Sequence, residues 1–141
     1  MQSTIDNTQD VLDSREIIGR IEELEAERAD LVSEATDDTN VEIAAAKTAL
    51  ADWDEDNLVE LDALKSLAEQ ASSSPDWQYG ETLVRDSHFT IYAEELAEDC
   101  GMLDHKATWP YTCIDWDLAV RDLKMDYYCV DFDGIDYWVR A

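Results

Sequence analysis

Positive charge is what this chain has least of. Ten Lys and Arg stand against 35 Asp and Glu, a formal net charge of −25. That balance excludes unaided binding to nucleic acid or to an anionic membrane, both of which need clustered Lys and Arg. Long apolar runs are missing too. No stretch reaches the roughly 18 residues that a membrane-spanning helix requires, and MQSTIDNTQD at the start has neither the basic residues nor the apolar core of a secretory signal. The expected location is the cytoplasm. Cysteine is sparse: Cys100, Cys113 and Cys129 are odd in number and lack C-x-x-C spacing, which argues against a disulfide framework or a zinc ribbon. They are expected to be small buried hydrophobes.

Catalytic vocabulary is equally thin. His88 and His105 are the two histidines; neither sits in an H-E-x-x-H motif, and both lie near expected helix ends, where a surface or capping role is ordinary. There is no G-x-S-x-G and no glycine-rich phosphate loop. Glu94 and Glu98 stand at i, i+4 and could share acid and base work, but 35 acids produce such pairs by chance. DFDGIDYW, residues 131–138, has the look of a calcium loop. However, Gly134 directly follows the second aspartate, whereas an EF-hand needs glycine at its sixth position and a glutamate at its twelfth. Asp52, Asp54, Glu55 and Asp56 would point in different directions around a helix. The expectation is a protein without enzymatic activity, metal or cofactor.

What is present argues for a fold. Disordered acidic chains are poor in aromatic and apolar residues, whereas this one is 45% hydrophobic with five tryptophans. Leu12, Ile17, Ile21, Leu24, Leu31 and Val32 recur at three- and four-residue spacing and predict a helix over about 9–35. Residues 1–8 read as frayed. TDDTN at 36–40 predicts a turn, with Thr39 or Asn40 capping a second helix over about 41–71 that carries Ile43, Leu50, Trp53, Leu58, Leu61, Leu64 and Leu67. WDEDN at 53–57 weakens that second stripe and is a candidate kink. Because Ile17, Leu24 and Leu31 are seven apart, the pair is expected as a coiled-coil-like hairpin about 45 Å long.

SSSP at 72–75 reads as a linker, so the expected domains are an acidic hairpin over 1–74 and a small α+β domain over 75–141. In the second, ETLVRD predicts a short extended segment. Ser87 would cap a helix to Cys100 with Phe89, Tyr92 and Leu96 inward, and Gly101 would end it in a left-handed conformation. Asp115 would cap WDLAVRDLK, with Trp116, Ala119 and Leu123 packing. Tyr128, Val130 and Phe132, then Ile135, Tyr137 and Val139, alternate around Asp133-Gly134, which predicts a β-hairpin with a type I′ turn. The aromatics are expected mostly in the core, including Trp109 and Tyr127. Trp77 and Tyr111 are the expected exceptions, as interface anchors.

The acids form a pattern. Residues 1–70 hold 20 acids and 5 bases and residues 71–141 hold 15 and 5, so both halves are strongly negative. Spread along about 45 Å, the first half carries one net charge every ~3 Å, against about 1.7 Å for duplex DNA. Glu23 and Glu27, Asp30 and Glu34, and Asp52 and Asp56 are i, i+4 pairs whose carboxylates stand about 6 Å apart along the axis, close to the separation of successive phosphates. Asp131 and Asp136 are expected on the face of the terminal hairpin opposite its apolar side. Such a chain suits the basic groove of a DNA-binding protein.

Within residues 85–141, FTIYAEELAEDCGML and CIDWDLAVRDLKMDYYCVDFDGIDYWVR resemble the C-terminal part of ArdA-type antirestriction proteins and related small acidic phage proteins. The resemblance implies a dimeric DNA mimic acting in the bacterial cytoplasm on a restriction–modification enzyme or, by extension, a CRISPR effector. Glu94, Glu95, Glu98, Asp99, Asp115, Asp122 and Asp126 match by motif and imply charge mimicry rather than chemistry. The N-terminal helical hairpin departs from ArdA, which has small α+β domains there. The rival reading is a phage structural or adaptor protein that oligomerises through the hairpin, with acidity serving solubility.

Overall fold

The computed structural model describes residues 4–101, 109 and 111–141. Its described residues form a mixed α+β fold of four α-helices and one four-stranded antiparallel sheet. In chain order these are β1 (Val11–Asp13), α1 (Ser14–Thr36), α2 (Ile43–Ala71), β2 (Thr82–Arg85), α3 (Phe89–Asp99), α4 (Trp116–Leu123), β3 (Tyr127–Phe132) and β4 (Ile135–Arg140). The sheet order is β1-β2-β4-β3.

Several boundaries differ from the sequence reading. Leu12 was expected at the head of a helix but lies in β1, paired with Leu83. The helix starts after it because Asp13 accepts the Arg15 N–H at 2.8 Å, a cap that satisfies one orphan donor. Helix α2 opens at Ile43, and neither Thr39 nor Asn40 is its N-cap: Glu42 takes that position without a side-chain bond. Asn40 instead accepts the Glu42 N–H within the turn. WDEDN does not interrupt α2, since Trp53, Leu58 and Leu61 keep their stripe through it. Ser87 lies in a 3-10 turn, Asp86–His88, and α3 follows with His88 at its N-cap. Asp115 does cap α4, accepting the Leu118 N–H at 3.2 Å, and Gly101 has φ 75° at the end of α3. Asp133 and Gly134 both have positive φ, 51° and 88°, as a type I′ turn demands.

Strand alternation makes the sheet two-sided. Leu83, Val130, Phe132, Tyr137 and Val139 pack with Ile17, Leu24, Leu61, Leu64 and Leu67 of the helical hairpin. Val84, Tyr127 and Trp138, pointing the other way, pack with Phe89, Ala93 and Val120 of α3 and α4. The sheet therefore stands between two helical layers. The hydrophobic positions of α1 are not a free coiled-coil seam at its base: α1 and α2 are close-packed, and Ile17 and Leu24 share a cluster with the sheet. Segments 1–74 and 75–141 contribute to one sheet and one core, because β1 pairs with β2.

The SSSP segment is tied down rather than loose: Ser74 is buried and donates to Glu81 Oε2, and Tyr128 Oη donates to the Ala71 carbonyl. Nor is the N-terminal segment frayed from residue 5 onward. Ile5 is buried and its N–H meets Glu60, while Asn7 Nδ2 donates to the Asp133 carbonyl at 3.1 Å. The Tyr137 hydroxyl donates to the Gln9 carbonyl. Trp77, expected as a surface anchor, is 7% exposed and belongs to the core; Trp109, expected inside, is 78% exposed. The three cysteines are exposed, not buried, because Cys100 ends a helix, Cys113 lies in a turn and Cys129 is on the edge strand. His105 and the Tyr111 side chain lie outside the described residues.

Candidate functional acidic surface

The α1–α2 register decides which acids are free. Arg20, with its side chain 7% exposed, donates from Nε to Glu60 at 2.8 Å and from Nη1 to Glu23 at 3.1 Å. Burial pulls the Glu60 carboxyl up, but the Arg20 guanidinium and the Ile5 N–H outweigh it and hold the group below the usual range. One turn or two further out, Arg28 grips Asp54 with two bonds of 2.8 and 3.1 Å, which lowers the Asp54 pKa. Trp53 Nε1 donates to Glu27 at 3.2 Å. Arg15 bonds Asp13 and Lys124 bonds Asp86. Thus, among the described residues, Arg15, Arg20, Arg28 and Lys124 are each paired with an acid of the same chain.

These contacts sort the expected site residues. Glu23 and Glu27 are half-buried and engaged, by Arg20 and Trp53. Asp30, Glu34, Asp52 and Asp56 are exposed. Because Arg20 meets Glu60 while Arg28, two turns later on α1, meets Asp54, earlier on α2, the helices run antiparallel and the Asp30 turn stands beside the Asp52 turn. On α1, Glu23, Glu27, Asp30 and Glu34 follow a four-three-four spacing and therefore share one side. The distal half of the hairpin thus brings together four of the six expected helical acids, with the other two at the inner edge.

Between Ser14 and Ala71 there are 17 acids and 5 bases, a net of −12. Over the about 44 Å of α2 this is one net charge every ~4 Å, somewhat sparser than the sequence estimate because the first helix is shorter. That is somewhat under half the linear charge density of duplex DNA, at about one charge per 1.7 Å.

The C-terminal acids occupy a separate region, on the far side of the sheet. Glu95, Glu98 and Asp99 are exposed on or just at the end of α3, and Glu94 is half-buried. Asp122 and Asp126 are exposed on and after α4; Asp115, also exposed, has its carboxylate committed to the helix cap. Asp131 and Asp136 face each other across the β3–β4 ladder, both exposed, on the face that carries Tyr127 and Trp138. Like charges directly opposite are destabilising. The protein tolerates that arrangement where an ordinary hairpin would interleave signs.

Among the described residues no group of three or more His, Cys, Asp or Glu side chains is placed to hold a metal ion, and no helix is long and apolar enough to cross a membrane. His88 Nδ1 lies 3.8 Å from Asp10. Burial first, and then Asp136, push the Cys129 thiol up, away from a reactive thiolate. Exposed acids outside the expected set include Glu25, Asp62 and Glu69; the last two stand seven residues apart on α2. No family model, curated protein or solved structure matches the chain.

Proposed function

We propose that the protein is a non-enzymatic DNA mimic that occupies the basic DNA-binding groove of a bacterial nucleic-acid-binding defence protein, a restriction–modification enzyme or a CRISPR effector. One observation carries this reading. The buried and half-buried guanidiniums of Arg20 and Arg28 are consumed inside the hairpin by Glu60, Glu23 and Asp54, while Asp30, Glu34, Asp52 and Asp56 remain exposed at neighbouring levels. A mixed-sign surface suffices for solubility, and a folded surface of nearly one sign also presents a field that steers a cationic partner. The hairpin acts as a coiled-coil-like charged arm, and the acids of α3, α4 and the terminal β-hairpin, in the region that resembles ArdA proteins, extend the mimicry. The proposed site of action is the bacterial cytoplasm, without direct contact to nucleic acid or membrane, and a homodimer would double the length of the acidic surface.

The test is capture of a partner from host cells followed by competition with duplex DNA. The mimic reading expects displacement by DNA. Simultaneous binding of DNA and this protein would contradict it and favour the adaptor reading.

A further inference from the structure

The flank of the hairpin that carries Arg28 is hollow. One hollow of about 500 Å³ has Val32, Leu58 and Leu61 in its walls. A second, of about 640 Å³, continues toward the base past Ile21, Ala68 and Trp77. Both are lined by Glu25, Asp62 and Lys65, so they form one groove. Its walls run from Ile21 to Val32 on α1 and from Leu58 on α2 to Ser72 at its C-cap, about 16 and 21 Å at the helical rise, or three to four turns.

The groove has a definite chemistry. Its floor is aliphatic and aromatic. Glu25 stands on one rim, Asp62 and Glu69 on the other, and all three are exposed. Of the two cations in the walls, Arg28 is already held by Asp54, leaving Lys65 as the exposed one. An apolar trough between acidic rims is complementary to an amphipathic helix whose apolar stripe is flanked by Lys and Arg, the helix-in-groove mode of recognition.

We propose that this groove docks one such basic amphipathic α-helix of the partner protein. The proposal rests on the DNA-mimic reading and narrows it to partners that place a helix in the DNA major groove, which is wide enough to admit one. Glu25 on one side and Asp62 and Glu69 on the other would meet the flanking Lys and Arg of that helix where DNA presents phosphates. The apolar floor adds what DNA lacks, a reason to prefer this protein over the operator or target site.

The proposal is tested with the full chain and two synthetic peptides of about 14 residues, the length that three to four turns span. One is an amphipathic Leu–Lys helix, and the other a Lys–Gln helix of equal charge. Calorimetry gives affinity and amide shifts give the location. The Leu–Lys peptide should bind with one-to-one stoichiometry, about tenfold more tightly than its polar counterpart, and shift the amides of Ala29, Asp62 and Lys65. Ala29→Trp, at an exposed wall position, should fill the trough and weaken binding about tenfold, whereas Lys65→Glu should strengthen it a few-fold. Equal affinity for the two peptides, with neither variant changing it, would overturn the groove. The DNA-mimic reading would survive that result if DNA still displaced the captured partner, and would fall with it only if DNA did not.

Discussion

At the scale of single residues, the protein pairs Arg20 and Arg28 with acids inside the hairpin and leaves like charges facing outward. Glu60 is the sharpest case, because it holds the buried Arg20 guanidinium and the Ile5 N–H together. Glu60→Ala leaves Arg20 buried with its main partner removed, and chemical denaturation should show a loss of about 3 kcal/mol or more. The pH dependence has a definite sign. Glu60 is depressed in the folded state, so its contribution is complete above the ordinary carboxylate range, about pH 4.3. It is lost as pH falls through the lower folded value. A Glu60→Gln variant should start lower at neutral pH and lose less on acidification; a melting curve that falls in parallel with the parent would contradict the assignment. The Asp131–Asp136 pair predicts a trade. Asp136→Lys converts a like-charge cross-strand pair into an opposite one and should stabilise by about 0.5 kcal/mol, while weakening partner binding. A gain in both would remove Asp136 from the recognition surface.

At the scale of elements, the hairpin separates acids that hold the fold from acids that are free to be read. Replacing Asp30, Glu34, Asp52 and Asp56 by lysine should abolish partner capture and leave the circular dichroism spectrum unchanged. The same replacement at Glu23 and Glu27 should lower the melting temperature, because it confronts Arg20 with a like charge and orphans the Trp53 indole. Strand β3 is an edge of the sheet, and α2 covers part of it: the Gln70 side chain exchanges two hydrogen bonds with the Asp131 backbone, at 2.8 and 2.9 Å, like an added strand. Gln70→Ala should speed hydrogen exchange at the Asp131 amide and cost about 1 kcal/mol. Unchanged exchange would show that other groups protect the edge. The elements themselves were largely legible. Period-3.6 stripes announced α1 and α2, and Asp133-Gly134 announced the β3–β4 turn, because these signals are local. What the sequence could not show was non-local. Leu12 fits a helical stripe and a strand equally well, and only pairing with Leu83 decides for β1. Trp77 looked like a loop aromatic until α1, α2 and the sheet closed over it. Likewise the i, i+4 spacing of Glu23 and Glu27 matched that of Asp30 and Glu34, and nothing in spacing alone reveals that Arg20 and Trp53 claim the first pair.

At the scale of the whole molecule, a charge of −25 on 141 residues is distributed over both helical layers that flank the sheet, with interior cations neutralised locally. Self-repulsion of that size opposes the compact state, so added salt should raise the melting temperature while it weakens binding to a cationic partner, two opposite responses to the same screening. The central claim, that the exposed acids substitute for DNA phosphates, is tested most directly by competition at graded salt between this protein and duplex DNA for the host protein proposed as its partner. The account predicts mutually exclusive binding and an affinity that falls steeply between low and high salt. A ternary complex of host protein, DNA and this protein, with an affinity indifferent to salt, would contradict it.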